Sequence, residues 1–188
     1  MSQLKVDSII PRGGIPSGSN GGVIQVKHGF CDVFSSSNTS YVDTGLSVTI
    51  TPSSSSSKFI IVVNGIGSTS GNDSGQGVFR VTRGNTAVTN QKVIADNNNQ
   101  NGNAFAVVEG SRERYPVTTS LIDAPATTSS ITYKLRVASP QGQTAYLGRW
   151  GTNNSWSVNT YMTVSQSRSK IPKSPIVLTF VYALRIAS

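Results

Sequence analysis

Leu46, Val48 and Ile50 alternate with Ser47, Thr49 and Thr51, the two-residue period of a strand with one dry and one wet face. Pro52 ends that strand, because proline brings no N–H to a ladder. The serines that follow, Ser53 to Ser57, are too polar to bury, and their short span between two strands favours a loop over a linker. Lys58 then opens Phe59-Ile60-Ile61-Val62-Val63, an uninterrupted apolar run that predicts a strand buried on both faces. A wet-faced strand, a loop and a core strand together predict a sheet packed against a second layer. The fold class is therefore all-β, an antiparallel β-sandwich or barrel.

The same period recurs along the chain. Val23 to Phe34 predicts one or two strands, and Asn38 to Gly45 turns into the strand at Leu46. Gly77 to Gly84 alternates, with Phe79 and Val81 on one face and Arg80 and Thr82 on the other, and Gly84-Asn85 signals a tight hairpin. Ala104 to Glu109 is another strand, and Leu121-Ile122 ends one more before a Pro-containing loop over Asp123 to Ser130. Ile131, Tyr133, Leu135 and Val137 mark a half-buried strand from which Thr132, Lys134 and Arg136 look outward. Gln141-Gly142-Gln143 turns the chain. The closing run, Ser174 to Ala187, is apolar on both faces and has to be covered on both, either inside a sandwich or at a subunit interface. That requirement predicts a homo-oligomer, a homotrimer, and a C-terminus held within the fold. No window carries apolar residues at helical spacing over a useful length.

Ahead of the domain, Leu4, Val6, Ile9 and Ile10 form one short extended strand, followed from Pro11 to Gly22 by a Gly/Pro/Ser/Asn connector. A lone strand is not stable by itself, so residues 1–22 read as an extended N-terminal arm that docks on its own domain, a neighbouring subunit or another protein. Residues 23–188 form the single β-domain.

Charge adds one constraint. Lys and Arg number 16 against 8 Asp and Glu, a net +8, which favours contact with a polyanion or an acidic protein surface. The basic residues are spread along the chain, with only small groups at Arg112/Arg114, Lys134/Arg136 and Arg168/Lys170/Lys173. No nucleic-acid-binding motif accompanies them, so nucleic acid ranks last among the partners considered. No apolar run is long enough to cross a bilayer and the first residues lack a signal-peptide layout, so no membrane insertion is expected.

Candidate chemistry is sparse. Cys31, the one cysteine, reads as a small buried hydrophobe, and His28, the one histidine, is insufficient for a His-rich metal site or most triads. Asp73 in a glycine-rich turn is a weak ligand set for a cation. Asp43 and Asp123 are the least unsuitable carboxylate pair for a glycosidase, yet both stand at loop ends, where Asp serves turns. The sequence therefore predicts no enzyme, no metal and no cofactor. The polar loops offer more. Asn97, Asn98, Asn99 and Asn101 lie in one amide-rich loop, and Asn153 and Asn154 lie in another between Trp150 and Trp156. Amides hydrogen-bond sugar hydroxyls or polar protein groups, and an indole face stacks on a pyranose, so these residues are the candidate surface for a host glycan.

The opening SQLKVDSI with its Gly-rich connector, then YVDTGLSVTITPSSSSSKFIIVV, DAPATTSSITYKLRV and the closing ALRIA, resemble a β-rich virion structural module, often labelled tail fibre, of marine and cyanobacterial tailed phages. The resemblance covers the arm and most of the domain and is weakest over residues 64–115. It implies a jelly-roll-like sandwich, trimeric and exposed on the virion, and it carries no catalytic residues with it. Two roles follow: a tail fibre or receptor-binding module anchored on tail or baseplate proteins by its arm, or a decoration (cement) protein gripping acidic capsid subunits. The amide and aromatic loops favour the fibre, with capsid decoration as the alternative and a nucleic-acid-associated role third.

Overall fold

The computed structural model describes residues 23–70, 76–88, 104–109, 115–150 and 153–167. The arm, with Leu4, Val6, Ile9 and Ile10, and the apolar run 174–187 lie outside them. The described chain is all strand and loop, with no helix. The first half forms β1 (Val23–Cys31), β2 (Phe34–Ser36), β3 (Val42–Ile50), β4 (Lys58–Asn64), β5 (Ile66–Thr69), β6 (Gln76–Arg83) and β7 (Thr86–Ala87). The second half forms β8 (Ala106–Glu109), β9 (Tyr115–Pro116), β10 (Thr119–Asp123), β11 (Ile131–Ala138), β12 (Ala145–Leu147), β13 (Arg149–Trp150), β14 (Asn153–Ser157) and β15 (Thr160–Ser167).

Every pairing is antiparallel. One layer runs β1-β15-β4-β10. The other is built from two sheets, β3-β11-β6 with β7 and β8 both on the far side of β6, and β2-β12-β5-β9. Because β2 precedes β3, β5 precedes β6, β8 precedes β9 and β11 precedes β12, the same four stretches of chain lie side by side in the same order in both sheets. A four-residue β13–β12 neighbourhood, Leu147 to Trp150, leads out of this layer into a separate β13-β14 hairpin.

Between the layers lies one apolar core. The dry face of β3, Leu46, Val48 and Ile50, meets Phe59, Ile61 and Val63 of β4, with Tyr133, Leu135 and Val137 of β11 and Met162 and Val164 of β15 in the same cluster. The Phe59 and Tyr133 rings lie 6.1 Å apart in a tilted arrangement, the geometry aromatic quadrupoles favour. Glycine has a specific use in β3. Between the pairs Asp43–Arg136 and Ser47–Lys134, three β3 residues face one of β11, and Gly45 takes a positive φ of 86° to absorb the excess. Thr44, turned inward there, donates its hydroxyl to the Leu135 carbonyl at 2.9 Å.

Three expectations change. The run Phe59 to Val63 is dry on one side only: Ile60 and Val62 are each 41% exposed, because no described residue covers the outer face of the β1-β15-β4-β10 layer. In β6 the reverse holds, and Thr82 and Val78 are as buried as Phe79 and Val81 although they point away from the core. The serine loop is not simply solvated. Ser57 is buried, and the buried Gln166 of β15 donates its amide to the hydroxyls of Ser53 and Ser57, both at 2.7 Å. A Ser57 N–H to Ser54 carbonyl bond closes the turn.

Asp123 ties the layers together at one edge. It ends β10 in the first layer, is buried, and receives Arg83 Nη1 of β6 at 3.0 Å and the Tyr133 hydroxyl of β11 at 2.6 Å. Burial, together with the bond to this carboxylate, pushes the Tyr133 hydroxyl far above its ordinary pKa, so it remains a donor throughout the working range. Asp123→Ala should destabilise the fold by about 2–4 kcal/mol, because a buried hydroxyl and a half-buried guanidinium lose their acceptor. Tyr133→Phe should cost less, about 1–2 kcal/mol, since Arg83 still pairs with Asp123. Urea unfolding measures both, and a change within 0.5 kcal/mol for Asp123→Ala (, roughly the effect of a neutral surface substitution) would show that the bridge contributes nothing.

Candidate functional site

Of the residues assigned to the candidate surface, the structure brings Trp150, Asn153, Asn154 and Trp156 onto one β13-β14 hairpin. Trp150 and Asn153 stand directly opposite one another, and Arg149 pairs with Ser157. The ladder shifts between those two pairs, so Asn154 and Trp156 fall on the bulged side of β14. Asn97, Asn98, Asn99 and Asn101 lie outside the described residues, so no joint surface of the two amide-rich loops is assembled.

The base of the hairpin is firmly held. Gly148 adopts a φ of +75°, and a Cβ there would stand 2.6 Å from the Val158 carbonyl oxygen, so only glycine fits. Its N–H reaches the Ile66 carbonyl and its carbonyl accepts from Val158 N–H, both at 2.8 Å. Ser68 donates its hydroxyl to the Arg149 carbonyl at 3.0 Å, and the Arg149 guanidinium lies 4.1 Å from the centroid of the Tyr146 ring. A rigid base of this kind reduces the ordering cost that a presented loop meets on binding. Sequence reading located the tryptophans and asparagines but not this support; the signal was the Gly148-Arg149-Trp150 order directly after an apolar strand.

The outward-looking basic pair Lys134/Arg136 is accounted for by a residue 91 positions away in sequence for Lys134. Lys134 Nζ approaches Asp43 Oδ2 at 2.6 Å, and Arg136 Nε approaches Oδ1 at 2.8 Å. The hydrogen bond from Lys134, helped by the charges of both cations against a smaller opposing effect of burial, holds the Asp43 carboxyl below its ordinary pKa. The stability this gives is present above the ordinary carboxylate pKa and is lost as pH falls through the lowered one; on an exposed pair it amounts to under about 1 kcal/mol. Next to Arg136 across the ladder is Arg80, whose guanidinium sits 3.6 Å above the Tyr41 ring. Arg136 also donates Nη2 to the Tyr41 carbonyl at 2.7 Å. The cluster is a cross-strand ion-pair and stacking network rather than a free basic strip.

Asp43 and Asp123 do not form a pair. Each is engaged by its own cations, one on the outer face of the β3-β11-β6 sheet and the other at the buried edge between layers. Their place at strand ends reflects ion pairing, not turn chemistry. Among the described residues no three His, Cys, Asp or Glu side chains gather into a metal-binding group. His28 is exposed on β1.

Cys31 packs against the core from the end of β1, half-buried. Burial, then the neighbouring Asp32 charge, push its thiol from 9.0 up to about 11, against a hydrogen bond with Thr44 that works the other way. The half-buried thiol therefore contributes stability below pH 9 that is lost as pH rises through about 11. At pH 8 iodoacetamide should alkylate the native thiol about 100-fold more slowly than the urea-unfolded one, a ratio that follows from the thiolate fraction. Equal rates would show that Cys31 is an accessible nucleophile.

No protein-family model matches the chain, and no curated protein matches it significantly.

Proposed function

We propose that this chain is a structural protein of a phage virion, a tail fibre or receptor-binding module with a jelly-roll sandwich, anchored by its arm to tail or baseplate proteins and assembled as a homotrimer. The observation that carries it is the strand order. Joining the interrupted strands (β2 with β3, β5 with β6, β8 with β9, β11 with β12) gives eight long strands in chain order, the seventh and eighth separated by the β13-β14 hairpin. One layer then reads first, eighth, third, sixth and the other reads second, seventh, fourth, fifth. That alternation supports the jelly-roll reading, an architecture used repeatedly by viral capsid proteins and lectins.

The hairpin gives the reading its receptor side. Inserted between two long strands and held by Gly148, Ser68 and the Arg149–Tyr146 stack, it offers Trp150, Asn153, Asn154 and Trp156 as the contact with a host-surface glycan. The positive net charge supplies long-range attraction to an anionic cell envelope, screened by salt.

Purified protein should bind cells of the bacterial host, more weakly as salt rises. Joint replacement of Trp150, Asn153, Asn154 and Trp156 by alanine, with folding verified by circular dichroism, should lower that binding at least tenfold. Equal binding by the substituted protein removes the hairpin as the reader. No binding by the unmodified protein moves the reading to capsid decoration, for which hundreds rather than tens of copies per purified virion are expected.

A further inference from the structure

The outer face of the β1-β15-β4-β10 layer exposes large apolar side chains on all four strands, among small polar ones. Register places Val26 of β1, Ser165 of β15, Ile60 of β4 and Ile122 of β10 in one cross-strand row. Ile122 is 64% exposed, and Val26 and Ile60 are both exposed as well. One row along, Val62 is exposed beside Thr163, and at the next Phe30 and Tyr161 pair directly, with rings 6.3 Å apart and both largely in solvent. Single exposed apolar side chains need no explanation, but several gathered on one face mark a contact surface.

We infer that this face is where copies of the chain meet, outer sheet against outer sheet. Like faces meet about a two-fold axis, so this contact joins two copies and is distinct from the three-fold contact of the proposed homotrimer; it deepens that homo-oligomeric reading and rests on it. Charge decides the occupant. The paired rows of this face contain Lys58, His28 and the Tyr161 phenol as their titratable side chains and no carboxylate, in a chain with 16 basic and 8 acidic residues. A polyanion finds almost no cation here and a basic partner finds no anion, so the matching surface is itself apolar and nearly neutral. A second copy presents such a surface.

Shape agrees with charge. On β15 the small side chains of Thr163 and Ser165 stand between Val26 of β1 and Ile60 and Val62 of β4, and Tyr161 ends that row of small residues. Larger side chains of one copy can enter beside these small ones on another, as facing sheets interdigitate at a spacing of about 10 Å. Four strands about 4.8 Å apart and seven residues long offer roughly 400–500 Å² per copy. Two such faces bury close to the ~1,000 Å² at which specific interfaces begin, so association should be concentration-dependent.

Sedimentation or light scattering of the full chain from about 1 to 200 µM, a range set by that interface size, tests the inference without host or virion. The unmodified protein should exceed the mass of one chain as concentration rises. Ile60→Lys and Ile122→Lys should each shift self-association to at least tenfold higher concentration, while Thr49→Lys, an equal charge change on exposed β3, should not. Ile122→Ser, a milder change at an exposed sheet edge, should shift it in the same direction if a lysine variant fails to fold. Unchanged self-association in the Ile60 and Ile122 variants overturns the assignment of this face while leaving the oligomer intact. A single-chain mass for the unmodified protein up to 200 µM overturns the oligomer as well; dye binding to that monomer would point to a different partner, and its absence to cover by the chain's own residues.

Discussion

The fold depends on two neighbouring runs of sequence turning their apolar sides toward each other from opposite layers. β3 contributes Leu46, Val48 and Ile50, and β4 contributes Phe59, Ile61 and Val63, all essentially dry. Each such side chain gains roughly 1.5–3 kcal/mol from leaving water, and the gain exists only if both layers are present. A single sheet from this sequence would expose one of the two sets. The serine loop sets the geometry of that encounter, since it has to carry the chain from one layer to the other within Thr51 to Ser57. Gln166 holds the loop to the first layer through Ser53 and Ser57, linking the crossing to β15, the strand beside β4.

Around that core several buried polar groups are held by specific partners. Asp123 joins β10 to β6 and β11 at the edge of the sandwich, and Thr44 satisfies the Leu135 carbonyl where the β3 bulge breaks the ladder. The bulge also matters outside the core. By letting β3 lag against β11, it sets Asp43 beside both Lys134 and Arg136 and neutralises a basic group that would otherwise stand open. The same strands thus have a locked inner face and an outer one whose basic side chains are held in ion-pair and stacking contacts, while the β13-β14 hairpin stands on a base fixed by Gly148.

Much of this was legible in the sequence, and the remainder was not for definite reasons. Period-two alternation identified β3 and β11 with their buried and outward residues, and Gly84-Asn85 marked the β6-β7 hairpin, because these signals are local. An uninterrupted apolar run such as Phe59 to Val63 has no period, so it cannot say whether one face or both are covered; that depends on how many layers the rest of the chain supplies. Ser57 and Gln166 became buried by pairing with each other across 109 positions, a relation that no local pattern contains. Likewise, the Lys134/Arg136 pair looked free because its carboxylate belongs to another strand. For the candidate site, residue types located the hairpin, whereas its register and support came from the fold.

The strand order and the hairpin belong to one two-layer β-domain. The central claim is that its layers are a single cooperative unit built on the β3–β4 encounter. Native-state amide hydrogen exchange tests this most directly. The interior amides of β4 and β15 in one layer and of β11 and β6 in the other should exchange with one common free energy, equal to that of global unfolding. Two distinct free energies, one for each layer, would contradict the account.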